Sequence, residues 1–325
     1  MAGRWYQCAI DRTALRGLMQ RADRPALIWI GGFLALTIAT GLLAFRMRGT
    51  AWAVPAFLLY GTVFAFAEAP AHELGHGTAF RTRWLNEAAY WVICFMTWRE
   101  QVYSRWLHAC HHSYTQVTVG APADPEQQLP RPISLWKLAT DFVRLSFARE
   151  FIGVLVSHSL GRPTRRARAS VPSAEFPMMV HNARILLTAH LMVILWAVLA
   201  RSWLPVLFLT LPRLYGAWLH ELCALTQHAG LAENEYDHRL SCRTVRLNPL
   251  LRFLYWNMNY HTEHHMFPAV PFHALPRLRA LVSAGMPPAY RGLLSAWREM
   301  LTIIRRQRRD PGYVLVPTLP EGVVR

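Results

Sequence analysis

Lysine is almost missing from this chain. Only Lys137 stands among its 35 basic residues, which face just 19 acids. The formal charge of +16 admits nucleic acid, anionic lipid or an acidic protein as partner. No nucleic-acid signature accompanies the charge, so no nucleic-acid partner is expected. Cysteine is scarce too. Cys8, Cys94, Cys110, Cys223 and Cys242 form no CxxC pair and no even spacing. That pattern excludes an iron–sulfur cluster and fits free thiols in a reducing compartment. GxGxxG and His-Pro-Gly-Gly are absent, so the sequence offers neither a dinucleotide site nor a haem site of its own. It has no internal repeat and no low-complexity tract. No cleaved leader is expected, because the first apolar run is too long for a signal-peptide core and no small-residue cleavage motif follows it.

Charge is also absent from long stretches. Residues 26–45 and 49–67 carry none, and 185–200 form a third uncharged run. A fourth opens at 202–212 and continues past Arg213 to 220. A spanning helix needs about 20 mostly apolar residues. The first two runs meet that length, and the other two meet it if polar residues are tolerated at their ends or inside. Arginine frames the runs unevenly. The turn after the first run has only Arg46 and Arg48, and the turn after the third has only Arg201. The N-terminus, the middle of the chain and the segment after residue 220 are rich in arginine. The positive-inside rule then predicts two helical hairpins with cytoplasmic termini and a large cytoplasmic portion. Residues 88–98 are apolar but too short to span, and read as interfacial or buried. Residues 121–132, with four prolines, read as a loop. The basic stretches 161–168 and 305–309 read equally as headgroup contacts or as solvated surface.

Histidine is what the chain has in excess. Of 15, eight fall into three boxes: His72 and His76 in HELGH; His108, His111 and His112 in HACHH; His261, His264 and His265 in HTEHH. Helical residues at i, i+3 and i+4 share a face, so each box can turn its imidazoles toward a metal. His228, after the fourth apolar run, is a ninth candidate. Eight or nine imidazoles exceed the four ligands of one zinc. They suit two metals with open positions, and imidazole suits iron among others. Soluble di-iron bundles use paired Glu-x-x-His motifs. Here only Glu73 to His76 has that spacing, so an all-histidine site fits better. Cys110 is offset from the shared face of its box.

The three boxes resemble those of the membrane fatty-acid-desaturase superfamily, and residues 257–268 (NMNYHTEHHMFP) are especially similar to its third box. The resemblance covers about residues 26–280. Within the superfamily, HELGHGT at 72–78 and QHAGL at 227–231 look most like bacterial rhizopine-oxygenase relatives. The resemblance implies an all-α membrane protein: one domain over 1–325, with four transmembrane helices (about 26–45, 49–67, 185–200 and 202–220) under a cytoplasmic helical cap. All nine histidines would be ligands of a non-haem di-iron centre that uses O2 to desaturate or hydroxylate an unactivated C–H of a fatty acyl, lipid or small-molecule substrate. Electrons would come from a separate ferredoxin, Rieske-type protein or cytochrome with its reductase. The setting would be a bacterial inner membrane, with the active site and termini cytoplasmic.

Glu68, Glu73 and Glu263 are candidates to orient the ligands, and Asn257 and Asn259 to position a water or cap a helix. His158, His181, His220, His238 and His273 read as structural or surface residues. His190 and Arg213 would sit at similar depth, about 17 Å below the turn at Arg201. Such groups usually face a cavity, so they are candidates to bind a polar or anionic substrate group. Two other readings compete. HELGH also matches the HExxH of an intramembrane zinc protease with Glu73 as base, although this leaves both HxxHH boxes idle. A metal transporter would place its ligands near the bilayer midplane, whereas these histidines lie at or beyond the ends of the apolar runs.

Overall fold

Helix α1 (Arg12–Leu18) starts on Asp11, whose carboxylate accepts the Ala14 N–H. The first apolar run then folds as α2 (Asp23–Met47). It turns back through residues 48–52 into α3 (Ala53–Ala65), which continues through a turn at Phe66 and Ala67 into α4 (Glu68–His76). The computed structural model describes residues 5–120, 123–127, 129–142 and 145–320, and among these it is helical with no strand. α4 stops at Gly77, which takes the left-handed φ of 68° that favours glycine after a helix.

The short apolar stretch lies on α5 (Arg83–Thr97), which buries Tyr90, Ile93, Cys94 and Met96 and leaves Trp84 and Val92 exposed. α6 (Gln101–Ser113) starts on Glu100, whose carboxylate accepts the N–H groups of Val102 and Tyr103. The described part of the proline-rich segment is loop; Ala121, Pro122 and Gln128 lie outside the described residues. Three helices follow: α7 (Leu135–Phe142), α8 (Leu145–Ser159) and α9 (Arg165–Ser170). The third apolar run is α10 (Phe176–Leu199), which packs along α8.

Among the described residues, three segments are long and apolar enough to cross a membrane: Asp23–Met47, Ala53–His76 and Ser173–Leu199. The fourth predicted run, 202–220, does not form one helix. It breaks into α11 (Leu204–Leu209), α12 (Pro212–Tyr215) and α13 (Trp218–Ala224). Pro212 has no N–H to continue the preceding helix. Gly216 then lets the chain press onto α3, since a Cβ there would fall on the carbonyl of Gly61. α11 lies against α10 and α12 against α3.

The rest of the chain closes over these helices with α14 (His238–Ser241), α15 (Pro249–Leu254), α16 (His261–Met266), α17 (Leu275–Val282) and α18 (Leu293–Gln307). One core joins the two ends of the chain: Phe33, Leu74 and Tyr90 pack with Trp256, Phe272 and Leu278, all buried. At about 1.5–3 kcal/mol per large apolar side chain buried, this core fixes the third histidine box relative to the first. On α18, Met300 and Ile304 pack against Leu225 and Ala229, which flank His228.

Candidate metal centre

The fold brings all nine candidate histidines together in two adjoining groups. His72, His76, His108, His112 and His264 form one, and His111, His228, His261 and His265 the other; within each, ligand atoms lie within 4.8 Å of one another. Each i, i+4 pair serves one group: 72 with 76, 108 with 112, 261 with 265. The i+3 residues His111 and His264 cross to the other group. The two HxxHH helices therefore each supply both groups, and the groups share a wall where His112 stacks on His265, centroids 4.1 Å apart.

Several Nε2 atoms face one another directly. His72 and His264 approach to 2.7 Å, His76 and His108 to 3.1 Å, His228 and His261 to 2.8 Å, and His261 and His265 to 3.0 Å. The far sides of the rings fix where the protons are. His228 Nδ1 donates to the Ser241 carbonyl at 2.9 Å. Thr115 gives its own proton to the His111 carbonyl, so at 3.1 Å it accepts from His265 Nδ1. The Nε2 atoms of His228 and His265 are thus bare lone pairs converging on a common point. Lone pairs so close repel unless a cation lies between them, so the donor set fits metal ions.

Protonation agrees. Burial first, and neighbouring imidazoles second, hold His112, His261, His264 and His265 well below the ordinary histidine range, and push His228 to about 3. Neutral imidazole is the metal-binding form.

The carboxylates behind the rings are not the ones the sequence suggested. Glu126 Oε2 lies 2.8 Å from His108 Nδ1, and Asp124 Oδ1 lies 2.9 Å from His111 Nδ1. Burial alone would raise Glu126, but the charge and hydrogen bond of His108 outweigh it and hold the carboxyl at about 2. Asp124 is lowered in the same way by His111, and His111 is raised in return despite its burial. Both acids come from the proline-rich loop, and Asp124 also accepts the N–H groups of Gln116 and Glu126. The only signal for them in the sequence is a pair of acids two residues apart downstream of the second box.

The five residues read as orienting groups send their bonds elsewhere. Glu68 accepts from Arg99 Nε at 2.9 Å and pairs with Arg213. Glu73 accepts from the Thr78 hydroxyl at 2.6 Å and the Phe272 N–H at 3.2 Å. Glu263 accepts from Thr244 and Arg279. Asn257 donates to the Phe272 carbonyl, and Asn259 to the Val245 carbonyl. Through these bonds they brace the segments that carry the first and third boxes. Arg213 is 1% exposed, paired with Glu68 and bonded to the Thr97 carbonyl, so it braces α4 and α5 instead of lining a cavity. His190 lies between the rings of Phe95 and Trp98 and reaches the Thr210 hydroxyl. Cys110 Sγ points to the Ser170 carbonyl. His238, read as structural or surface, is buried beside His265 and Cys242 and stacks on Trp5.

A cavity of about 350 Å³ opens beside both groups, bounded by His72 and His108 of one and by His111, His228 and His261 of the other.

Comparison with known proteins agrees with the three boxes. The family model for fatty acid desaturases matches residues 49–297. The chain is 23% identical over 314 residues to the Delta(5) fatty acid desaturase fat-4 of Caenorhabditis elegans, covering 83% of this chain and 65% of that protein. It therefore spans just under two thirds of the worm enzyme's length. It is 26% identical over 281 residues to the human sphingolipid delta(4)-desaturase/C4-monooxygenase DES2, covering 82% of this chain and 77% of that protein. With helices long enough to cross a membrane, histidine groups that can hold metal and a family match over most of its length, the chain belongs to the fatty acid desaturase family, whose members are oxidoreductases of the desaturase and hydroxylase type.

Proposed function

We propose that the protein is an O2-dependent oxidoreductase that desaturates or hydroxylates an unactivated C–H bond, with two iron ions held by the nine histidines. The convergence of the nine imidazoles in two adjoining groups carries this reading. Bound iron would supply O2 activation, which no side chain provides. The chain's own contribution is placement. Glu126 and Asp124 hold the His108 and His111 rings through Nδ1 and leave Nε2 for metal. The Ser241 carbonyl and Thr115 do the same for His228 and His265. Burial holds His112, His228, His261, His264 and His265 in the neutral form, and the cavity beside both groups gives a substrate room to reach them.

Electrons come from a separate carrier, a ferredoxin, Rieske-type protein or cytochrome with its reductase, because the sequence holds no redox group besides the proposed irons. The exposed arginines suit an acidic carrier or lipid headgroups. The protein sits in a membrane with four crossings, the broken segment α11–α13 completing the stem, and with the histidines and termini on the cytoplasmic side. Cysteines placed at Arg46 and Arg201 then label from outside intact cells; labelling only from inside overturns this topology. Glu73 weighs against the zinc-protease reading, since its carboxylate does not join the histidine groups and its Oε1 turns instead to the Thr78 hydroxyl and the Phe272 N–H. Metal analysis of purified protein separates the alternatives: two irons per chain are expected. One zinc would favour the protease, and a weakly held mixture a transporter or passive metal binder.

A further inference from the structure

The cavity beside the histidines has a wall of mixed polarity, with charged and hydrogen-bonding side chains set among apolar ones. Its polar lining includes Glu68, Arg99, Ser104, Glu126, Gln227 and Tyr255. Apolar residues such as Leu107, Val154 and Leu225 fill the gaps between them. Filling this space with methylene groups would strip water from charged side chains and return no hydrogen bonds. Most of the polar groups have protein partners: Glu68 holds Arg99, and Gln227 donates to the Tyr255 hydroxyl at 2.7 Å.

Ser104 is different. It is 5% exposed, lines the cavity, and its hydroxyl has no hydrogen-bond partner. A buried hydroxyl left unpaired is costly, and such groups normally find a partner. Ser104 lies on α6 one turn before His108 and two before His111, on the stripe that faces both metal groups.

We propose that the substrate of this site presents a hydroxyl or amino group to the cavity wall, with Ser104 as a direct hydrogen-bonding contact, and that the reacting C–H lies near that polar group instead of along a bare acyl chain. The proposal rests on the oxidoreductase reading for the reaction but not for the binding. The same chemistry can come from a soluble molecule or from a lipid headgroup.

Affinity selection with mass spectrometry tests it without turnover. Iron-loaded protein is exposed to an aqueous cell extract, to a polar-lipid extract and to oleic acid. Retention of hydroxyl- or amine-bearing compounds is expected, from the first extract if the source is soluble and from the second if it is a headgroup. Ser104→Val should weaken that retention about fivefold, the worth of one neutral hydrogen bond. Ser104→Thr should preserve it, and iron content should be equal in all three proteins. Retention of oleic acid that is unchanged or stronger in Ser104→Val overturns the proposal. So does failure to retain any hydroxyl- or amine-bearing compound from either extract, or a loss in Ser104→Val that Ser104→Thr does not prevent. Retained compounds that are never oxidised with O2 and a reductant would instead defeat the oxidoreductase reading and leave the binding chemistry standing.

Discussion

The carboxylate of Glu126 meets His108 Nδ1 at 2.8 Å, although the two residues belong to different elements, an irregular loop and the helix of the second box. The contact fixes the ring's tautomer and directs Nε2 into the larger histidine group. Asp124 does the same for His111 in the smaller group, so one loop orients a candidate ligand of each.

Replacing either acid should loosen metal without unfolding the chain. Glu126→Gln and Asp124→Asn are each expected to weaken metal retention or activity about 10–100-fold, the usual cost of losing a group behind a metal ligand. Titration with a chelator, read by iron content, measures it. Wild-type retention in both variants would show that the loop has no part in metal binding.

The boxes should fail jointly. Alanine at His264, in the five-membered group, or at His261, in the four-membered group, is expected to abolish turnover and lower iron below two per chain. His228→Ala should behave the same way, because its bare Nε2 faces His261 at 2.8 Å. Retained activity in two or more box variants would overturn the di-iron assignment, and retained iron and activity in His228→Ala would remove the ninth ligand.

Acid should destabilise the metal-free protein. His112, His228, His261, His264 and His265 have folded values below their ordinary one, so the unfolded chain binds their protons first as pH falls. Stability from these groups is therefore complete above about pH 6.5 and is lost on acidification, with a slope approaching about 1.4 kcal/mol per pH unit for each histidine. Glu126 is lowered to about 2, so its contribution persists until pH falls past the ordinary carboxylate range. Thermal melts of metal-free protein at pH 7.5 and 5.5 test this. An equal or higher melting temperature at pH 5.5 would contradict the neutral, buried state of the histidines.

Arg213 should act on stability before it acts on substrate. Removing one member of a buried ion pair costs about 3–5 kcal/mol. Arg213→Met is therefore expected to lower the melting temperature sharply, and adding Glu68→Gln should restore part of the loss. A stable Arg213→Met protein with a raised KM and unchanged melting would return Arg213 to the substrate-binding role its depth in the sequence suggested.

Much of this protein was legible before its structure. Hydropathy placed three long apolar segments, because a membrane-length apolar run needs no tertiary context to be recognised. Helical periodicity marked the histidine boxes, because i and i+4 share a face in any α-helix. Periodicity could not divide the box histidines between two groups. It also could not foresee that His111 and His264 leave their box partners, since a few tens of degrees around α6 and α16 decide which neighbour each ring meets.

The sequence by itself determined the donor set on offer: many histidine nitrogens in helical register, set beside apolar runs. The tertiary structure decided everything that depends on distant segments meeting. It delivered Asp124 and Glu126 from a loop with no periodic signal. It broke the fourth apolar run where Pro212 interrupts the helix and Gly216 allows contact with Gly61. It turned Arg213 from a cavity-lining candidate into the partner of Glu68. Local patterns arise from the backbone's fixed helical period, whereas a partner supplied from far along the chain is fixed only by how the whole core packs.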